Sequence, residues 1–200
     1  MSMIDLNLLK QYNAELLKVD KGHIIFDYGS KAQFYFQVKS GEVKMNNINR
    51  EGKEFIQGIF YAGQSFGEPP LFADVAYPAG AETITDAELY RLPKDVFFEL
   101  LKENPEAHFK LSEVLASRLY YKAIMASEIS SQEPEHRILR LLDYTKKHIQ
   151  MLEPHETLEV DFTRQQIADL TGLRVETVIR ACKALEKKGE IEIKKRKILR

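Results

Sequence analysis

Apolar positions along the chain change their period, and each change marks a change of element. Residues 1–18 place Ile4, Leu8, Leu9, Tyr12, Leu16 and Leu17 at near-helical spacing, which predicts a short amphipathic lead-in helix. From about 19 to 93 the period falls to two. Short runs such as His23–Phe26, Phe34–Val38 and Glu42–Met45 alternate with Gly22, Gly29, Gly41, Gly52, Gly58, Gly63 and Gly67. Many short strands with regular turn signals indicate an all-β barrel or roll. Pro93 ends that part, and 94–101 reads as a short helix. A long helical stretch follows over 105–129, with proline at its first turn. Its stripe runs through Leu111, Leu115, Arg118, Lys122, Met125 and Ile129, widened by Val114, Leu119, Tyr121 and Ile124. Such a stripe suits packing on the helix's own β domain and also a coiled-coil-like dimer, with different faces used. Ser130–Pro134 reads as a hinge, 135–149 as a helix and 158–162 as a strand.

The last forty residues carry the strongest pattern. Thr163 with Gln166 three residues on can form a capping box, so a helix starts there. Thr171-Gly172-Leu173 supplies a tight turn. A second helix then buries Val178, Ala181, Cys182 and Leu185 on one face and shows Glu176, Ile179, Arg180, Lys183 and Lys187 on the other. This is a helix–turn–helix whose second helix is built to enter a major groove. Gly189 ends it, and 190–200 reads as a small basic hairpin, a wing.

Charge sharpens the picture. Residues 163–200 hold eleven Lys and Arg against five Asp and Glu, a balance of +6 in a chain of net charge −1, so residues 1–162 carry −7. The positive end suits a phosphate backbone and the remainder does not. A solvated helix with a basic tail would give the same count; the helix–turn–helix spacing favours double-stranded DNA as the partner. No apolar run approaches the roughly 18 residues that a membrane span needs. The first ten residues lack a signal-peptide layout. With Cys182 as the single cysteine, no internal disulfide or cysteine cluster can form, and a reducing cytoplasm is the expected location. The five histidines make no helical H-x-x-x-H pair and no H-x-E, so no metal site is expected. There is no nucleophile elbow and no Walker-type phosphate loop, which leaves little basis for an enzyme.

This order of parts resembles the Crp/Fnr family of bacterial regulators, typified by the cAMP receptor protein and the FNR oxygen sensor. The N-terminal half carries Tyr35-Phe36-x-Val38-x-x-Gly41-x-Val43-Lys44 and Gly63-x-x-Phe66-Gly67-Glu68. The C-terminal part carries Thr163-Arg164-Gln165-x-Ile167-Ala168 and Gly172-x-x-x-Glu176-Thr177-Val178-x-Arg180. The resemblance implies an α+β chain in three parts. These are a cyclic-nucleotide-binding-type β roll over 1–104, a dimerisation helix over 105–130, and a winged helix–turn–helix over 131–200. It implies a homodimeric transcription regulator with RNA polymerase as a partner.

The departures bear on the effector. In cyclic-nucleotide binders of the family, Gly-Glu is followed about ten residues on by Arg-Ser or Arg-Thr, the Glu taking the ribose hydroxyl and the Arg the phosphate. Here Gly67 and Glu68 stand, but Tyr77-Pro78 replaces the Arg pair. Proline has no N–H and tyrosine offers one hydroxyl, so a buried phosphate would lack its cation. The sequence therefore argues against cAMP, leaving Gly67 and Glu68 structural or serving another ligand; a cyclic-nucleotide-responsive module is the alternative. An iron–sulfur cluster of the FNR kind needs N-terminal cysteines that this chain lacks. Nothing singles out a haem ligand, with His23 and His108 the remaining options. No cofactor is expected, and an unidentified small-molecule effector stays open.

Within the recognition helix, Glu176 is the candidate acceptor for cytosine N4, with Arg180 the donor to guanine or phosphate one turn on. Val175 stands where cAMP-receptor-like members have Arg, as in the FNR branch, and Ile179 stands where FNR-like members have Ser; both suit a thymine methyl. Arg174 takes the position of the family's Ser or Thr cap, where a cation opposes the helix dipole unless it meets phosphate. Arg164, Gln165, Thr177, Lys183, Lys187 and the wing residues Lys194, Lys195, Arg196 and Lys197 complete the expected DNA-contacting set.

Overall fold

The computed structural model describes residues 2–131, 133–195 and 197–200, and the side chains of all of these except 129–131. The chain divides into two compact units, Met1–Glu113 and Val114–Arg200.

The first unit opens with α1 (Leu6–Gln11), capped by the Asp5 carboxylate, which accepts from the backbone N–H groups of Asn7 and Leu8. Asn13 then takes a left-handed φ of 58°, and the chain becomes β1 (Glu15–Val19). The expected helix over 1–18 is thus cut to six residues. Helices under about 12 residues are marginal alone. Here the edge of β8 (Ala87–Pro93) offers every residue of β1 a partner, from Glu15 opposite Arg91 to Val19 opposite Ala87. Leu16 and Leu17 therefore belong to a strand.

Six more strands build the rest of the β roll. They are β2 (Ile24–Phe26), β3 (Phe34–Ser40), β4 (Val43–Ile48), β5 (Glu54–Phe60), β6 (Ser65–Phe66) and β7 (Gly80–Thr83). One sheet runs β1-β8-β3-β6 and the other β2-β7-β4-β5, with antiparallel pairing throughout. Gly41 turns β3 into β4 at φ +82°, where an added Cβ would lie 2.3 Å from the Asp86 carbonyl oxygen. No other residue fits there.

Strand alternation sorts the first sheet into two faces. On one face Tyr35 stacks on Phe97 of α3 (Lys94–Glu103), ring centroids 4.4 Å apart. Gln37, fully buried beside it, ties down the N-terminal segment: the Ile4 N–H donates to its carbonyl oxygen and its amide donates back to the Ile4 carbonyl, each at 2.9 Å. On the other face Leu17, Leu89 and Val38 form one cross-strand row, and Glu15, Arg91 and Phe36 the next. Between β6 and β7 lies the short α2 (Pro69–Ala73).

Helix α4 (Pro105–Ser131) is longer than expected and absorbs Ser130 and Ser131 of the predicted hinge; Gln132 lies outside the described residues. Its apolar stripe is spent inside the subunit, since Leu111 and Met125 are buried. A different set stays open: Phe109, Leu119 and Tyr120 are 77%, 69% and 68% exposed. Spacings of ten and eleven residues put these three on one side of a helix, roughly opposite Leu111 and Met125.

In the second unit α5 (Pro134–Tyr144) passes into a π-helical turn over Thr145–Ile149, so the predicted helix over 135–149 changes winding in its last turn. Tyr121 of α4 stacks on Tyr144 at 3.9 Å. β9 (Glu159–Val160), α6 (Arg164–Thr171), α7 (Val175–Lys187), β10 (Glu192–Lys194) and β11 (Lys197–Leu199) complete the unit, with sheet order β10-β11-β9. Its core joins Ile138 and Leu142 to Leu158, Ile167, Val178, Leu185 and Ile198.

Candidate functional site

The α6–turn–α7 pair forms as its residues dictate. The Thr163 hydroxyl accepts from the Gln166 N–H at 3.1 Å, and the Gln166 side chain accepts from the Thr163 N–H at 2.8 Å. That reciprocal pair satisfies two donors left open by the helix start. Gly172 ends α6 in the left-handed region at φ 69°. In α7 the faces separate cleanly: Val178, Ala181, Cys182 and Leu185 are buried, while Glu176, Ile179, Arg180 and Lys183 are exposed. Burial raises the Cys182 thiol pKa, with Arg164 a smaller opposing influence.

The exposed face is open for a partner. Glu176, Lys183 and Lys187 make no hydrogen bond or ion pair among the described residues, and Arg180 makes only a 3.5 Å contact with the Thr177 hydroxyl. Arg174 precedes α7 as its N-cap without a side-chain cap bond. Ile179 is 42% exposed, an apolar group in a charged field. Val175 differs: it is half-buried against the core of the unit, so less of it is free for a base. Gln165 also differs, because its amide donates to Asp169 at 2.9 Å within α6. Arg164 and Thr177 are half-buried.

The wing divides its charges. Lys194 pairs with Glu192 at 2.8 Å, and Lys197 is held by Glu159 and Asp161. Lys195 sits exposed at the tip, with a left-handed φ of 47° and no such pair among the described residues. Arg196 lies outside the described residues.

In the β roll, Gly67, Glu68, Tyr77 and Pro78 come together around an aromatic stack. Tyr77 lies flat on Phe26, centroids 3.7 Å apart and planes 7° from parallel. Gly67 packs against both rings: at φ +76°, an added Cβ would meet each at 3.2 Å. The Glu68 carboxylate is buried and accepts from the Ser65 hydroxyl. Burial, then the Glu68 charge, pushes the Tyr77 phenol up to about 12. Pro78 is exposed, and its carbonyl accepts from the Asn47 amide at 2.8 Å.

Comparison with known proteins agrees with this geometry. Residues 16–104 match the cyclic nucleotide-binding domain and residues 136–200 the Crp-like helix-turn-helix domain. The cAMP-activated global transcriptional regulator CRP of Haemophilus influenzae is 30% identical over 79% of this chain and 71% of its own length. The chain belongs to the Crp family. A probable transcriptional activator of Rhizobium leguminosarum is 26% identical over 92% of this chain and 77% of its own. Among solved structures, the c-di-GMP responsive regulator CLP of Xanthomonas campestris superposes with a TM-score of 0.74 over 97% of this chain and 98% of its own. At 21% identity that likeness speaks for the fold. The family match makes this chain a DNA-binding transcription regulator of the Crp type. Among the described residues, no helix is long and apolar enough to cross a membrane.

Two features of this Crp-family chain escaped the sequence reading. Phe26, the partner of Tyr77, sits in a run with no motif of its own. Arg91 falls on the inner face of β8, two residues from Leu89; the alternation Ala87, Leu89, Arg91, Pro93 carried that signal. Its guanidinium lies 4.6 Å from the Phe34 ring centroid, and its Nη2 donates to Glu15 at 2.6 Å.

Proposed function

We propose that this Crp-family regulator acts as a homodimer on an inverted-repeat operator, with Glu176 and Arg180 of each subunit reading base edges. The observation that supports it is the division of α7: one face is locked into the core, and the other exposes Arg180 together with Glu176 and Lys183, which have no partner among the described residues. Carboxylate to cytosine N4 and guanidinium to guanine are the pairings a major groove offers. Arg174 and Lys195 anchor phosphates and set register. The apolar side of α4 at Phe109, Leu119 and Tyr120 is the dimer face, replacing the stripe through Leu111 and Met125 that the periodicity suggested. Two-fold symmetry then sets half-site centres about 10–10.5 base pairs apart. RNA polymerase is the partner through which bound regulator acts.

For the sensory half we infer that cAMP is not the effector. The Phe26–Tyr77 stack fills the space against Gly67, and neither Tyr77 nor Pro78 brings a cation to a phosphate. The match to a cyclic nucleotide-binding domain and the retained Glu68 favour the other reading, a cyclic-nucleotide-responsive module. Calorimetry with millimolar cAMP separates the two. Absence of binding heat and of any change in operator affinity supports our reading, and saturable binding overturns it.

A further inference from the structure

The first unit contains a cleft of about 420 Å³ that meets the Gly67–Glu68 site only at the Phe26–Tyr77 stack. It opens over the inner face of the β1-β8-β3-β6 sheet. Leu17, Leu89, Phe34 and Phe36 form its floor, and Phe26 with Tyr77 forms a wall. Neither Gly67 nor Glu68 lines it. The volume falls within the roughly 300–1,000 Å³ of small-molecule sites. Its apolar and aromatic floor and wall are edged by His23, Asp27, Ser30, Lys31, Gln33 and Arg91.

Arg91 is the polar group that stands out. It stands between Glu15 and Phe36 in a row beside the apolar Leu17, Leu89 and Val38, and its guanidinium rests on Phe34. Of its five donors, only one Nη2 proton has an acceptor, the Glu15 carboxylate. Its Nε is buried without any partner, the one such side-chain atom among the described residues. A buried N–H without an acceptor carries an uncompensated desolvation cost, so it calls for an explanation. The pair with Glu15 explains little, because the Glu15 side chain is more than half exposed and such pairs are weak. A carboxylate approaching the guanidinium edge takes Nε and Nη2 together, the two-pronged geometry that arginine favours. Lys31 adds a second cation at the rim, against one acid, Asp27.

We propose that this cleft binds a small aromatic carboxylic acid. The carboxylate displaces Glu15 and seats on Nε and Nη2 of Arg91. The ring lies among Phe26, Phe34 and Phe36, where tilted and offset aromatic contacts are already the rule. An apolar ligand without the charge leaves Nε orphaned, and a polar anion without the ring leaves the walls uncovered.

The test uses the full chain with benzoate, phenylacetate and 3-phenylpropionate, each against its neutral amide, read by calorimetry and thermal melting. At least one acid should bind, its amide at least about tenfold more weakly, since a charge-assisted two-pronged contact is lost. Arg91→Gln should remove that preference. Glu15→Gln, which removes the competing negative charge from Nη2, should tighten binding of the acid. Leu17→Trp, on the edge strand, should fill the cleft and abolish binding while the circular dichroism stays that of the parent. If Arg91→Gln fails to fold, the Glu15 and Leu17 variants decide alone. Equal affinity for acid and amide, unchanged binding in Leu17→Trp, weaker binding in Glu15→Gln, or no binding of any acid at millimolar concentration overturns the proposal. No DNA enters these measurements, so failure here leaves the operator reading intact.

Discussion

Replacing Leu119 by glutamate should convert the regulator to monomers. Leu119 is 69% exposed on α4. Burying a leucine side chain completely is favourable by about 1.5–3 kcal/mol, so covering that exposed share gives roughly 1–2 kcal/mol per subunit. A two-fold interface uses the residue twice, which makes about 2–4 kcal/mol per dimer. That alone weakens the dimer by roughly 30-fold to 700-fold. The two introduced carboxylates add a desolvation cost in the same direction. Sedimentation equilibrium of parent and variant reads the change directly, and circular dichroism should match between them because Leu119 packs little within its own subunit. Operator binding should fall with dimerisation. A Leu119→Glu protein that sediments as a dimer with the parent's dissociation constant would refute the assignment of this face. Leu111→Ala serves as the contrast: Leu111 is buried, so its loss should lower folding stability by about 2–5 kcal/mol.

Three further outcomes follow from the second unit. Thr163→Ala removes the reciprocal cap of α6 and should cost about 0.5–2 kcal/mol in chemical denaturation, with Thr163→Ser restoring most of it. Cys182 is buried with its thiol pKa raised by burial, so thiol reagents should label native protein far more slowly than unfolded protein. His148, whose Nδ1 lies 3.0 Å from the Ser117 hydroxyl, has its pKa lowered by burial and then by Lys147. The fold therefore favours its neutral form. This contribution is complete above the unfolded value of about 6.5 and is lost as pH falls below it toward the folded value, so His148→Gln should flatten stability over that window.

How much of this was legible in the sequence depends on whether the signal was local. The helix–turn–helix was, because Thr163, Gln166, Gly172 and the Val178–Leu185 stripe act through neighbours a few residues away. The β roll was legible as a class from its alternation and glycines. β1 was not: Leu16 and Leu17 have helical spacing, and only β8, some seventy residues on, makes them a strand. The use of α4 was only half legible for a related reason. Periodicity shows that α4 has an apolar side, yet it cannot say that Leu111 and Met125 are used within the subunit while Phe109, Leu119 and Tyr120 stay open. The wing shows the same limit, since Lys194 and Lys197 count as positive charges in the sequence but meet carboxylates in the fold.

Binding-site selection from random duplexes, with the parent and Glu176→Ala side by side, tests the central claim that the exposed face of α7 reads bases. The parent should select an inverted repeat with a fixed C·G pair in each half-site. The variant should keep the spacing but lose its cytosine preference at one base pair per half-site, at a cost of roughly 1–3 kcal/mol in discrimination there. Lys195→Ala, which removes a wing-tip cation, should instead weaken binding to all sequences and reduce the salt slope by about one unit. An unchanged ranking of sites by Glu176→Ala would contradict the account, because α7 would then lie in the groove differently or outside it.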